Sequence, residues 1–306
     1  MWRADLALVF VCLVWGGTFI VVKNAVADIP VLLFLAVRFS IAALVLFLIF
    51  GLRKDRPPLR ASLFGGLVAG FFLFSGYALQ THGLAQTSAA KTGFITGLYI
   101  PMVPILSALL YRKTPQIPEL IGVCLAFAGT ALMTIQKDLL SVNRGDLLVA
   151  CAAFLYACHI VVLGKFSKTG DVGWLSILQI ATAAALAWLT CGAIGPVGPV
   201  RWTAAVWFAL AVTSLLCTAF GFSVQTWAQK YTTATRTALI FSLEPLFAWL
   251  ASYIAAGEIL TARGVAGAAL ILAGVFFAEL KPKCGAGWKP AADCQSATSG
   301  DSEPGR

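Results

Sequence analysis

QTHGLAQTSAAKT at residues 80–92 returns, altered but recognisable, as QTWAQKYTTATRT at residues 225–237. At one constant spacing Gln80 matches Gln225, Thr81 matches Thr226, Thr87 matches Thr232 and Thr92 matches Thr237, while Lys91 meets Arg236. Gly122 and Gly129 then meet Gly267 and Gly274 at the same spacing. Low-complexity apolar sequence matching by chance would not pair its polar residues this way, so the chain reads as a duplication. A slightly shorter spacing relates the starts of the two halves, where Asp5 matches Asp146 and Trp15 matches Tyr156.

The sequence around these stretches says where the duplicated unit resides. Of the 306 residues 59% are hydrophobic and 11% charged, and the mean hydropathy is +0.88. Soluble domains carry about 25% charged residues, and a chain this apolar has too few polar side chains to coat a water-facing surface. Soluble enzymes, nucleic-acid binders and disordered chains are therefore excluded. The net charge of +9 would suggest nucleic acid in a soluble protein, but here the basic residues sit in short patches between apolar runs and read as topology signals.

A membrane-crossing helix needs about 20 apolar residues at about 1.5 Å each. Ten stretches qualify: 6–26, 31–51, 62–81, 88–110, 117–135, 146–165, 173–194, 204–226, 234–256 and 263–280. Loops are short, and 282–306 is a Gly/Ser/Pro-rich, disordered tail. With the N-terminus inside, fifteen Lys and Arg residues fall on the cytoplasmic side; six (Lys23, Lys91, Lys137, Arg144, Arg201 and Arg263) fall outside, leaving Arg38 within the second span. The positive-inside rule thus puts both termini in the cytoplasm of a plasma (bacterial inner) membrane. The expected fold is all-α and integral to the membrane, with ten transmembrane helices in two five-helix repeats, 1–140 and 141–281. Five being odd, the second repeat enters from the opposite face, an inverted build used by secondary transporters.

Six cysteines lie in apolar runs and act as small hydrophobes; Cys284 and Cys294 fall in the tail, where cytoplasmic thiols stay reduced. No Cys/His cluster has metal-ligand spacing, and no phosphate loop or nucleophile–base set stands out, so neither metal nor cofactor is expected.

The sequence resembles the EamA family of the drug/metabolite transporter superfamily. WGGTF at 15–19 followed by Lys23, Arg38-Phe39 in the second span, LEPLFAWLASYIAAGEILT from Leu243 to Thr261 and RGVAGAALILAG from Arg263 carry the likeness over residues 5–281. The resemblance implies ten helices in two inverted halves, a cavity between them, and export of amino acids or other small metabolites. The halves differ where the first reads Tyr99-Ile100-Pro101 against Leu243-Glu244-Pro245, and where Lys113 stands against Glu258, so a mechanism based on symmetric carboxylates is not implied.

Ionisable groups in hydrocarbon cost at least about 2.5–3.5 kcal/mol and need a reason. Glu244, near mid-depth, is either a coupling or amine-binding carboxylate or a structural acid beside the helix break at Pro245. Arg38 suits a substrate carboxylate or a pair with Glu244 at matching height. His159 is either a titrating group or a packed, hydrogen-bonded ring. Lys23 and Lys91 read as snorkelling cations. Trp15, Tyr77, Tyr99, Tyr156 and Trp227 offer apolar faces with polar tips for a pocket or an interfacial belt, and Gln80 and Gln225 either glue helices or bind ligand. Gly122 with Ala126, and Gly264 with Ala268, read as helix-packing pairs.

The sequence thus points to a secondary transporter exporting a small metabolite by alternating access, with the bilayer and a small molecule as partners and protons as a candidate coupling ion. The candidate substrate residues are Trp15, Arg38, Tyr77, Gln80, Tyr99, Tyr156, His159, Gln225, Trp227 and Glu244. A membrane enzyme for lipid-linked substrates, or a non-transporting scaffold or sensor, is the alternative.

Overall fold

The computed structural model describes residues 2–53, 57–112, 115–134, 143–195, 197–256 and 261–279. The tail 282–306 with Cys284 and Cys294, the aligned pair Lys113 and Glu258, and Lys137 lie outside the described residues. The regular elements among the described residues are all helices: α1 Trp2–Gly16, α2 Thr18–Ala25, α3 Val31–Leu46 and α4 Arg60–Gln86; then α5 Ala89–Thr96, α6 Tyr99–Tyr111 and α7 Ile117–Thr134. There follow α8 Arg144–Phe166, α9 Val172–Ile194, α10 Ala204–Val212, α11 Gly221–Gln229, α12 Ala234–Phe241, α13 Glu244–Ala256 and α14 Ala262–Glu279.

Seven helical stretches among the described residues are long and apolar enough to cross a membrane: 2–25, 31–51, 60–86, 91–111, 144–166, 172–194 and 204–229. The expected spans 117–135 and 263–280 correspond to shorter apolar helices, Ile117–Met133 and Ala262–Ala278. The expected span 234–256 corresponds to the consecutive helices α12 and α13. Large apolar side chains such as Phe10, Leu44, Phe64, Leu109, Phe208 and Phe276 are exposed. Water would penalise an apolar surface of that extent, whereas hydrocarbon is their natural surrounding.

Inside a bilayer the hydrophobic effect does not drive helices together, so close packing and polar contacts do. Helices α7 and α14 show how. A Cβ built on Gly122 would lie 2.6 Å from the Gly274 carbonyl oxygen, and one on Gly129 would lie 2.5 Å from that of Gly267. The reverse clashes are the same, 2.6 Å for both Gly267 and Gly274. Each glycine thus touches the sequence equivalent of the other glycine on its own helix, as in a two-fold contact between antiparallel helices. The glycines that make this contact in α14 are Gly267, three residues beyond Gly264, and Gly274.

Three expected spans are interrupted. Between α1 and α2, Gly16 packs so closely that an added Cβ would meet the Ala248 nitrogen at 2.8 Å and the Glu244 oxygen at 2.9 Å. Thr18 Oγ1 donates to the Trp15 carbonyl there, at 2.7 Å. Between α5 and α6 and between α12 and α13 tight turns intervene, with Leu98 N–H bonded to Ile95 and Leu243 N–H to Ile240. Pro101 and Pro245 stand in the first turns that follow, where a missing N–H costs nothing. Two π-type stretches add to these breaks, Phe47–Gly51 and Thr213–Phe220; the second bears on the interior. The Thr218 hydroxyl donates to the carbonyl of Thr213 five residues back, at 2.8 Å, which widens the turn.

Candidate functional site

The breaks and the widened turn meet around one cavity of about 90 Å³. At roughly 10–15 Å³ per water, it has room for a small solute. Trp15, Arg38, Tyr77, Gln80, Tyr99, Tyr156, His159, Gln225 and Glu244 all line it, drawn from both halves of the duplicated chain. Trp227 does not: it borders a separate hollow with Phe50, Arg53 and Phe220, and stacks edge-on with Tyr231.

The aromatic walls follow the duplication. The Tyr156 ring lies over Gly76, where a Cβ would approach it to 2.8 Å, and the Trp15 indole lies over Gly221 at the same 2.8 Å. Gly76 and Gly221 occupy equivalent positions, as do Tyr77 and Phe222. Tyr77 meets Tyr156 edge-on with centroids 5.5 Å apart, and Phe222 meets Trp15 at 5.2 Å. Phe222 belongs to the site although its residue type had drawn no attention; its match to Tyr77 was the available signal. Phe241, 5.0 Å from Trp15, and the carbonyl of Cys217, which accepts from the Trp15 indole N–H at 2.9 Å, complete that wall.

Arg38 is 3% exposed and is held by the first-half ring and the widened turn. Its Nε donates to Thr218 Oγ1 at 2.8 Å and Nη2 to the Tyr77 hydroxyl at 3.2 Å. Its guanidinium carbon stands 4.5 Å from the Tyr77 ring centroid, a cation–π distance. The Arg38–Glu244 pair considered from the sequence is not formed: among the described residues no hydrogen bond or ion pair reaches the Glu244 carboxylate. Helix α6 opens at Tyr99 and α13 at Glu244, so Glu244 lies in the first turn of a helix whose N-terminal dipole favours a carboxylate.

His159 is buried and bonded at Nε2 to Gln179 Oε1 at 2.9 Å; Gln179 in turn donates to Thr226 Oγ1 at 2.9 Å. Gln179, equivalent to Arg38, escaped sequence reading because an amide in an apolar run gives no signal of its own. Gln80 is partnered at both ends: its Nε2 donates to Thr96 Oγ1 and its Oε1 accepts from the Tyr156 hydroxyl, both at 2.9 Å.

Two ion pairs flank this region. Lys91 is 9% exposed and pairs with Asp146; it does not snorkel. Asp146 also accepts from Thr87 Oγ1 at 2.8 Å and forms a capping box with Asn143. Lys23 donates to the Thr87 carbonyl at 2.7 Å. At the equivalent place Arg236 grips Asp5 with two bonds of 3.1 and 2.9 Å. Each pair joins the start of α5 or α12 to the opening of the other half.

Comparison with known proteins follows from this geometry. The profile described as the EamA-like transporter family matches the chain twice, over residues 2–135 and 143–280. An "Uncharacterized transporter" of Archaeoglobus fulgidus is 33% identical over 278 residues, covering 91% of this chain and 86% of its own. A "Probable amino-acid metabolite efflux pump" of Salmonella typhimurium is 27% identical over 289 residues, covering 87% and 91%. A crystal structure at 18% identity superposes with a TM-score of 0.74 over 90% of this chain and 96% of the other, a likeness of fold.

Proposed function

The chain belongs to the EamA-like transporter family, and from that premise we propose that this membrane transporter exports an amino acid or a related amphipathic metabolite by alternating access. The observation that carries the reading is the cavity itself: nine widely separated polar and aromatic residues, chosen for their chemistry, converge on one small chamber walled by both halves. A scaffold or sensor has no use for such a chamber. A membrane enzyme would need a reactive constellation near one interface, which the short loops do not supply.

The protein has ten spans in two inverted five-helix halves, 1–140 and 141–281, with both termini in the cytoplasm of the plasma membrane. The twofold match to one profile and the reciprocal α7–α14 contact support the duplication. In this build the halves rock about the central site and expose it to each side in turn. Trp15, Tyr77, Tyr99 and Tyr156 shape the chamber; Arg38, Gln80, His159 and Gln225 orient polar groups, while Trp227 serves the membrane side. Glu244 carries the coupling proton. It lines the cavity with no hydrogen bond or ion pair among the described residues, so a proton or a substrate cation is free to neutralise it in turn.

Export from cells with and without the chain identifies the metabolite. In proteoliposomes, Glu244→Gln is expected to abolish the dependence of flux on a proton gradient; a pH dependence identical to the parent's removes Glu244 from the coupling role.

A further inference from the structure

The duplicated glutamines are held unequally. Gln80 has a donor and an acceptor beside it, Tyr156 and Thr96. The residues at the equivalent positions in the other half are Trp15 and Phe241. Phe241 offers no hydrogen bond, and the Trp15 indole N–H is spent on the Cys217 carbonyl. Gln225 is left with one contact, its Nε2 to Gln229 Oε1 at 3.3 Å. That contact fixes which way the amide faces. Gln229 uses its own Nε2 on the Ile160 carbonyl at 2.9 Å, so it turns an oxygen towards Gln225, and a flipped Gln225 would set oxygen against oxygen. Gln225 Oε1 is consequently buried with no partner among the described residues, in a side chain 1% exposed that lines the cavity.

A buried acceptor without a donor costs about 1–3 kcal/mol; Gln225 Oε1 is one, and the half-buried Glu244 carboxylate lining the same cavity has no hydrogen bond or ion pair among the described residues. Both belong to a cavity faced by the rings of Trp15, Tyr99 and Phe241. The unmet demand on this side is for hydrogen-bond donors and positive charge. An ammonium has three N–H donors and no acceptor, and aromatic faces attract it further.

We propose that the second-half wall of the cavity is an ammonium subsite, with Gln225 Oε1 and the Glu244 carboxylate as its two acceptors, and that the transported molecule enters with its amine towards that wall. The proposal rests on the transport reading and adds to it the group recognised and the residue that recognises it.

The test uses the full chain in liposomes with tritiated 2-phenylethylamine, and with 3-phenylpropionate, which has a carboxylate in place of the amine, as competitor. The amine is expected to bind and the acid to compete poorly. Gln225→Leu is expected to weaken amine binding about tenfold, the loss of one charge-assisted hydrogen bond. Gln225→Asn, which keeps an amide with both an oxygen and an N–H, is expected to weaken it less. Thermal unfolding of each variant separates lost binding from lost folding. Amine binding unchanged in Gln225→Leu overturns the assignment, as does the acid binding as well as the amine. The latter leaves the cavity as the transport site and removes only the subsite. If neither compound binds, the subsite falls, and the export comparison decides the transport reading on its own.

Discussion

The hydroxyl of Tyr156 is the most economical place to test how the cavity wall is held. It donates to Gln80 Oε1 at 2.9 Å across a buried boundary between the two halves. Removing the donor strands a buried acceptor, which is costlier than losing an exposed bond. Tyr156→Phe is expected to lower unfolding stability by about 1–2 kcal/mol, read from denaturant or thermal unfolding in detergent; an unaltered midpoint means the bond is idle. The edge-on contact with Tyr77 survives the change, so the aromatic shape of the chamber stays. At this scale much of the site was legible. Trp15 and Tyr156 stood out because they align, and Gln80 and Gln225 because polar residues in hydrocarbon need a reason. Phe222 and Phe241 were hidden among many aromatic residues in an apolar chain, where a ring inside a cavity and a ring facing lipid look the same. Trp227 shows the converse, an aromatic in the duplicated stretch that faces elsewhere.

Helices α7 and α14 approach each other because four glycines let backbone touch backbone, and at that distance a methyl group has nowhere to go. In Gly267→Ala the new Cβ would sit 2.6 Å from the Gly129 oxygen and 2.8 Å from the Met133 nitrogen. Both are main-chain atoms, so relief requires shifting a whole helix. Overpacking of this kind costs about 1–3 kcal/mol, and a drop of that size in unfolding free energy is the expected outcome; full stability would mean that the helices are not in contact there. The glycine alignment was visible in sequence, but their partners were not: matching pairs Gly122 with Gly267, whereas Gly122 touches Gly274, the equivalent of Gly129. The helix breaks were readable only in part. Pro245 marked one, whereas the break at Gly17 and the widened turn at Thr213–Phe220 depend on tertiary contacts, the close approach of Glu244 and the hydrogen bond from Thr218 to Thr213.

Across the whole molecule, the ion pairs Lys91–Asp146 and Arg236–Asp5 do for the two ends what the glycines do for the middle. Asp5 and Lys23 lie on the same span, eighteen residues or about 27 Å apart. Lys23 bonds Thr87, which bonds Asp146, so the two pairs stand at opposite ends of that span. Sequence matching placed Lys91 with Arg236 and Asp5 with Asp146, yet the bonds run between halves, from the cation of one copy to the acid of the other. Matching at two different spacings concealed that crossing. The pairs are unequal. Thr87 donates to Asp146, while its equivalent Thr232 has a buried hydroxyl with no partner among the described residues, and Asp146 also caps its helix through Asn143. Asp146→Ala thus removes an ion pair, a threonine bond and a capping box beside a cation 9% exposed. Breaking a buried pair from one side costs about 3–5 kcal/mol, and this variant is expected at the upper end. Asp5→Ala removes the two-pronged Arg236 contact alone, at a side chain 13% exposed, and is expected to cost less. Unfolding of the two purified variants side by side measures the difference. A larger loss for Asp5→Ala would mean that the geometry of the arginine fork outweighs the additional bonds at the other end.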